Sequence, residues 1–173
     1  MDIYPVIKQF GRTLRNLDAV LDKATKHAEA RKFDVNNFVG ARLFPDMLPF
    51  ASQIRIACDQ AKSAAANLSG KEAPKHEDNE KTFEELRGRI AKCLAYLDTL
   101  TAQDFARTTP DQIIKLARPP GKGLHADDYL FARQIPNFFF HVSTAYALLR
   151  RVGVEIGKSD LLGPLNIVDA TAA

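Results

Sequence analysis

Apolar residues recur every three or four positions along most of the chain, the spacing of a helix with one buried face. Ile3, Val6, Phe10, Leu14, Leu17, Leu21 and Ala24 form the first series, with Lys8, Arg12, Arg15, Asp18 and Asp22 between them. They predict a helix over residues 3–29, with Pro5 tolerated in its first turn. Residues 31–46 carry Asp34, Asn36, Asn37, Gly40 and Pro45 and read as a loop holding one short helical turn begun at Asp34. A second series, Met47, Phe50, Ile54, Cys58, Ala61, Ala65 and Leu68, predicts a helix over 46–68 with Gly70 at its C-cap. A polar linker fills 71–81. Thr82 and Glu85 then stand at capping-box spacing and open a third helix over 82–100, along Phe83, Leu86, Ile90, Cys93, Leu94, Leu97 and Leu100. Residues 101–123 hold Pro110, Pro119, Pro120, Gly121 and Gly123 and read as irregular, with Ile113, Ile114 and Leu116 in a short extended piece or hairpin arm. A fourth helix is expected over 126–152, kinked at Pro136 and ended by Gly153. Gly157-Lys158-Ser159 reads as a turn before a fraying tail.

Four such helices predict an all-α, four-helix bundle with an irregular loop or short hairpin before the last helix. It is expected as one domain over residues 1–163, followed by a C-terminal tail over 164–173. A chain of 173 residues buries roughly 70% of its unfolded surface, so no metal or disulfide staple is required. Its 24 basic and 21 acidic residues leave a net charge of +3, too balanced for a nucleic-acid binder. Two cysteines distant in sequence exclude a disulfide-rich scaffold and a CxxC motif. The N-terminus lacks a signal-peptide pattern, and no stretch approaches the roughly 20 apolar residues of a membrane span. The expectation is a cytoplasmic protein without nucleic-acid or membrane partners.

Candidate chemistry centres on the fourth helix. Asn137, His141, Thr144 and Leu148 share one face, beside an apolar stripe of Phe138, Val142, Ala145 and Leu149. A polar strip there is costly to bury unless it is hydrogen-bonded or lines a wet cavity. Both a satisfied internal network and a ligand-contacting pocket fit this pattern. Gln53 and Gln60 lie beside the stripe of the second helix and could border the same interior. Asp59 follows Arg55 by four residues, which suggests a solvent-exposed ion pair. His27, His76, His125 and His141 are too far apart in sequence for a local metal motif. Cys58 and Cys93 lie on apolar faces and read as core. No phosphate-binding loop and no GxSxG nucleophile motif is present.

The run Pro136-Asn137-Phe138-Phe139-Phe140-His141-Val142-Ser143-Thr144-Ala145-Tyr146 has a further significance. So do Leu149-Arg150, Gly153, Gly157 to Gly163, Leu43 to Pro49, Gln53 to Asp59 and Glu77 to Leu86. Together they resemble domain-of-unknown-function family nineteen-ninety-three, a branch of the DinB/YfiT-like metalloenzyme superfamily. The resemblance implies a DinB-type bundle, often dimeric. In metal-binding superfamily members one histidine of helix two and a His-x-x-x-His of the last helix hold a divalent metal. Aligned on Leu149-Arg150 and Gly153, the corresponding positions here are Gln53, Asn137 and His141. Amides are weak ligands for zinc or nickel, so no resident metal or other cofactor is expected.

Two functional readings follow. One is an enzyme acting on a small molecule, with His141 as general acid or base and Gln53, Asn137 and Thr144 around it. Gln53 and Asn137 would donate hydrogen bonds to a developing oxyanion. DinB-like relatives include thiol-dependent transferases and isomerases, which makes such chemistry compatible with the resemblance. The alternative is a non-catalytic small-molecule-binding or stress-associated bundle. In either, Gln53, Asn137 and His141 are expected to converge in a polar cavity near the bundle centre, and the protein is expected to be a homodimer.

Overall fold

The first apolar series forms one long helix, α1 (Tyr4–Ala30), in a computed structural model that describes residues 1–170. Its buried face runs through Ile7, Phe10, Leu14, Leu17, Leu21 and Ala24, with Ile3 buried just ahead of it. Val6, expected on that face, is only half-buried, because Ile3 and Ile7 already fill the first turn of the stripe. Asp34 starts a 3₁₀ turn (Val35–Phe38) by accepting the Asn36 N–H, and Phe38 carries that turn into the core.

Helix α2 (Phe50–Ser69) begins four residues later than the periodicity suggested. Pro49 is extended at the N-cap, so Met47 falls outside the helix and is half-buried rather than core. Gly70 ends α2 at φ 73°, its N–H bonded to the Ala66 carbonyl. Helix α3 (Phe83–Asp98) carries the complete capping box: the Thr82 hydroxyl accepts the Glu85 N–H and the Glu85 carboxylate accepts the Thr82 N–H.

A two-stranded antiparallel hairpin precedes the last long helix. Strand β1 (Ile113–Lys115) pairs with β2 (Gly123–His125), Ile114 opposite Leu124. A Cβ on Gly123 would stand 2.7 Å from Ile113 Cγ2 and 2.9 Å from the Ile114 carbonyl oxygen, so only glycine fits.

The region expected as one kinked helix divides in two. Asp128–Gln134 is a π-helix and Ile135–Arg151 is an α-helix, α4. Pro136 lacks an N–H and its ring crowds the carbonyl four residues back, and the wider π-turn relieves both. Helix α4 packs against α2, and α3 packs against both α1 and α2. The core between them is continuous, with Phe10 against Phe138 (ring centroids 4.5 Å) and Phe50 stacked on Phe83 (5.3 Å).

The glycine-rich stretch after Gly153 holds more than a turn. Lys158–Leu162 forms a short helix, α5, tied to α1 by Lys23–Asp160 (2.6 Å) and by Asn16 Nδ2 to the Leu161 carbonyl (3.0 Å). Of the expected tail, residues 171–173 lie outside the described residues.

Candidate functional site

Helix α4 turns Phe138, Val142, Ala145 and Leu149 into the core, and His141, 8% exposed, lies at the edge of that face toward α2. Gln53 meets it from the first turn of α2, 1% exposed. Gln53 Nε2 donates to the Leu48 carbonyl at 2.9 Å, just ahead of the helix. Only the amide nitrogen can make that bond, so Oε1 faces His141, 2.7 Å from Nδ1. An amide oxygen only accepts, so Nδ1 carries the proton and Nε2 keeps its lone pair. Among the described residues nothing bonds Nε2, and it is not sealed from solvent. Burial pushes the imidazole pKa below its ordinary value, which favours the neutral ring near pH 7. The Phe140 ring stands edge-on to the imidazole at 5.1 Å.

The other two residues of the polar strip behave differently. The Thr144 hydroxyl donates back to the Phe140 carbonyl of its own helix at 2.7 Å. Asn137 is half-buried one turn before His141, and its side-chain amide bonds no other described residue. The structure therefore joins Gln53 to His141 and leaves Asn137, one turn before His141 on α4, with its amide unengaged. One of the two Gln53 Nε2 hydrogens is held by the Leu48 carbonyl, which leaves the second for the expected oxyanion contact. Five clefts of about 280–470 Å³ open elsewhere along the described residues and are lined by other side chains.

The superfamily's metal does not fit this set. The Gln53 oxygen is already engaged by His141, which leaves one imidazole nitrogen and one amide as donors. Among the described residues no three His, Cys, Asp or Glu side chains converge. His27 stands edge-on to Phe33 at the end of α1, and His125 Nδ1 lies 2.9 Å from the Asp111 carbonyl on β2. Cys58 and Cys93 are buried and free, and Cys93 Sγ lies 3.4 Å from the Cys58 carbonyl. A hydrogen bond with Cys93, and then burial, hold the Cys58 thiol well above its usual range, so it is unreactive near neutral pH.

Two polar assemblies escaped the sequence reading. Asp59 does not pair with Arg55. Arg55 Nε binds Glu80 (2.8 Å), and Asp59 binds the buried Arg89 (2.9 Å), which also reaches Glu80 (2.9 Å) and Asp78 (2.6 Å). Burial opposes the Arg89 charge, but these carboxylates outweigh it and raise its pKa. The signal was present: Arg89 falls three residues after Leu86 and four before Cys93, inside the apolar stripe of α3. The second assembly stitches the π-helix to α2. Tyr129 Oη accepts from Asn67 Nδ2 (2.7 Å) and Gln134 Nε2 (3.0 Å), and Gln134 Nε2 also reaches the Gln60 carbonyl (3.2 Å). Gln60 thus belongs to this network and not to the surroundings of His141. No periodicity rule anticipates a π-turn.

Comparison with known proteins agrees with the architecture. The family described as "Domain of unknown function (DUF1993)" matches residues 4–162. The crystal structure of a DinB family member protein from Shewanella denitrificans superposes with a TM-score of 0.89 at 41% identity, covering 94% of this chain and 92% of that one. No curated protein matches the sequence.

Proposed function

The chain belongs to the DUF1993 family, a DinB-like branch without an assigned activity, and from that premise we propose a small-molecule acid–base site at His141. The observation that carries this reading is the 2.7 Å bond from Nδ1 to Gln53, with Nε2 left unpaired. A base needs a lone pair at a solvent-reaching atom, a fixed tautomer and a pKa near or below working pH. In this arrangement Gln53 acts as a positioning residue: through Leu48 it holds the tautomer. His141 Nε2 accepts the proton, and the unengaged Asn137 amide, one turn away, binds a polar group of the substrate. No step is routed through a metal.

The alternative, a non-catalytic binding bundle, draws support from one specific observation: the Gln53 amide is engaged inside the protein at both its oxygen and its nitrogen. Diethyl pyrocarbonate separates the two, because it acylates an accessible neutral imidazole nitrogen. The proposal expects acylation of His141 at rates comparable to His27 and His125, read by peptide mass. Protection of His141 while those two react would reduce the pair to a structural bond.

We propose in addition that the protein works as a homodimer. Phe131, Phe139 and Phe140 are 50%, 36% and 56% exposed along the π-helix and α4, and burying large apolar side chains favours association. Sedimentation at micromolar concentration should give twice the 19.2 kDa chain mass, and a monomer would overturn this. Among the described residues no helix is long and apolar enough to cross a membrane. We propose a cytoplasmic location.

A further inference from the structure

The linker before α3 folds over the ion-pair assembly and encloses a cleft of about 470 Å³, away from His141. His76, in that linker, forms part of its wall with a side chain only 5% exposed. Its Nδ1 lies 3.3 Å from Lys62 Nζ. An ammonium group has no lone pair, so Nδ1 must accept and the neutral ring carries its proton on Nε2. That N–H is buried and has no acceptor, and the same holds for the Nε–H of Arg89 in the same wall. Orphaned buried donors are rare and costly.

Charge alone does not choose a ligand, because Lys75, Lys92 and Arg89 share the lining with Glu77, Glu80 and Glu85. Hydrogen bonding does choose. Glu77 accepts from Asn79, Glu80 from Arg55 and Arg89, and Glu85 from the Lys81 and Thr82 N–H groups. The buried lining atoms left without a partner are both donors, His76 Nε2 and Arg89 Nε, and the exposed Lys75 and Lys92 form no ion pair among the described residues, while Glu77 and Glu85 each keep one unbonded carboxylate oxygen. Gly88 lines the same cleft. It lies inside α3, where glycine costs about 1 kcal/mol relative to alanine, yet a Cβ there would meet nothing within 4 Å. Packing does not require glycine at this point of the wall, and a side chain there would enter the cleft.

We infer that this cleft binds a small organic carboxylate, held by Lys75 and Lys92 at its mouth and by the N–H groups of His76 and Arg89 at its wall. Neither wall nitrogen is open to solvent, so the carboxylate reaches them by shifting the linker, and the amides of residues 75–80 report its arrival.

The test is a backbone-amide NMR titration with sodium succinate, against sodium chloride at equal ionic strength and against inorganic phosphate. Saturable shifts in residues 75–80 and 88–92 with succinate are expected. Gly88→Leu should keep the parent's thermal midpoint or exceed it and lose those shifts. Lys75→Gln with Lys92→Gln, both on the surface, should weaken binding about tenfold or more. Succinate shifts no larger than those of chloride would mean that water alone serves these donors. A response to phosphate only, or an undiminished response in a folded Gly88→Leu or in the lysine variant, would equally overturn the inference.

Discussion

Gln53 and Asn137 hold opposite places in the energetics around His141. Gln53 bonds at both ends of its amide, to Leu48 and to His141, so Gln53→Ala strands a buried carbonyl and a buried imidazole N–H. Its expected cost is about 1–3 kcal/mol. The Asn137 side chain bonds no other described residue, so Asn137→Ala should stay within about 0.5 kcal/mol of the parent. Urea unfolding of the two variants measures both, and equal destabilisation would contradict the assignment. The candidate site was legible in the sequence as residue types on one face of a helix. Which amide would turn toward the imidazole was not, because that depends on Leu48 offering a carbonyl from outside the helical pattern.

The helices follow from periodicity wherever an apolar stripe meets a cap. Thr82 and Glu85 mark the start of α3, and Thr82→Ala should cost about 1 kcal/mol through loss of the cap. The misjudged boundaries share a physical cause. At Pro49 and Pro136 the ring dictates the backbone, which delays α2 and widens the turn ahead of α4 into a π-helix. Arg89 marks the other limit of pattern reading. A charge inside an apolar stripe is stable only with partners, and here they come from α2 and the linker, too distant in sequence to be read as pairs. Arg89→Leu would leave Asp59 and Glu80 without it and should destabilise the fold by about 3–5 kcal/mol, seen as a lower urea midpoint. A change under about 1 kcal/mol would show that the assembly contributes little.

Across the molecule, acid should act through the two buried histidines before it reaches the carboxylates. Burial lowers the pKa of His141, and burial with Lys62 and Arg89 lowers that of His76. The unfolded chain therefore takes up these protons first, and stability present above about pH 6.5 falls as pH drops through the folded-state values. Thermal midpoints measured from pH 7.5 to 5 should fall, and less steeply in His76→Gln. The reading of the whole protein rests on the state of one ring. Long-range proton–nitrogen NMR of the histidine side chains at pH 7 reports it directly. His141 should be neutral with its proton on Nδ1, and Gln53→Leu should release that preference. A His141 that is charged at pH 7, or that carries its proton on Nε2, would contradict the account.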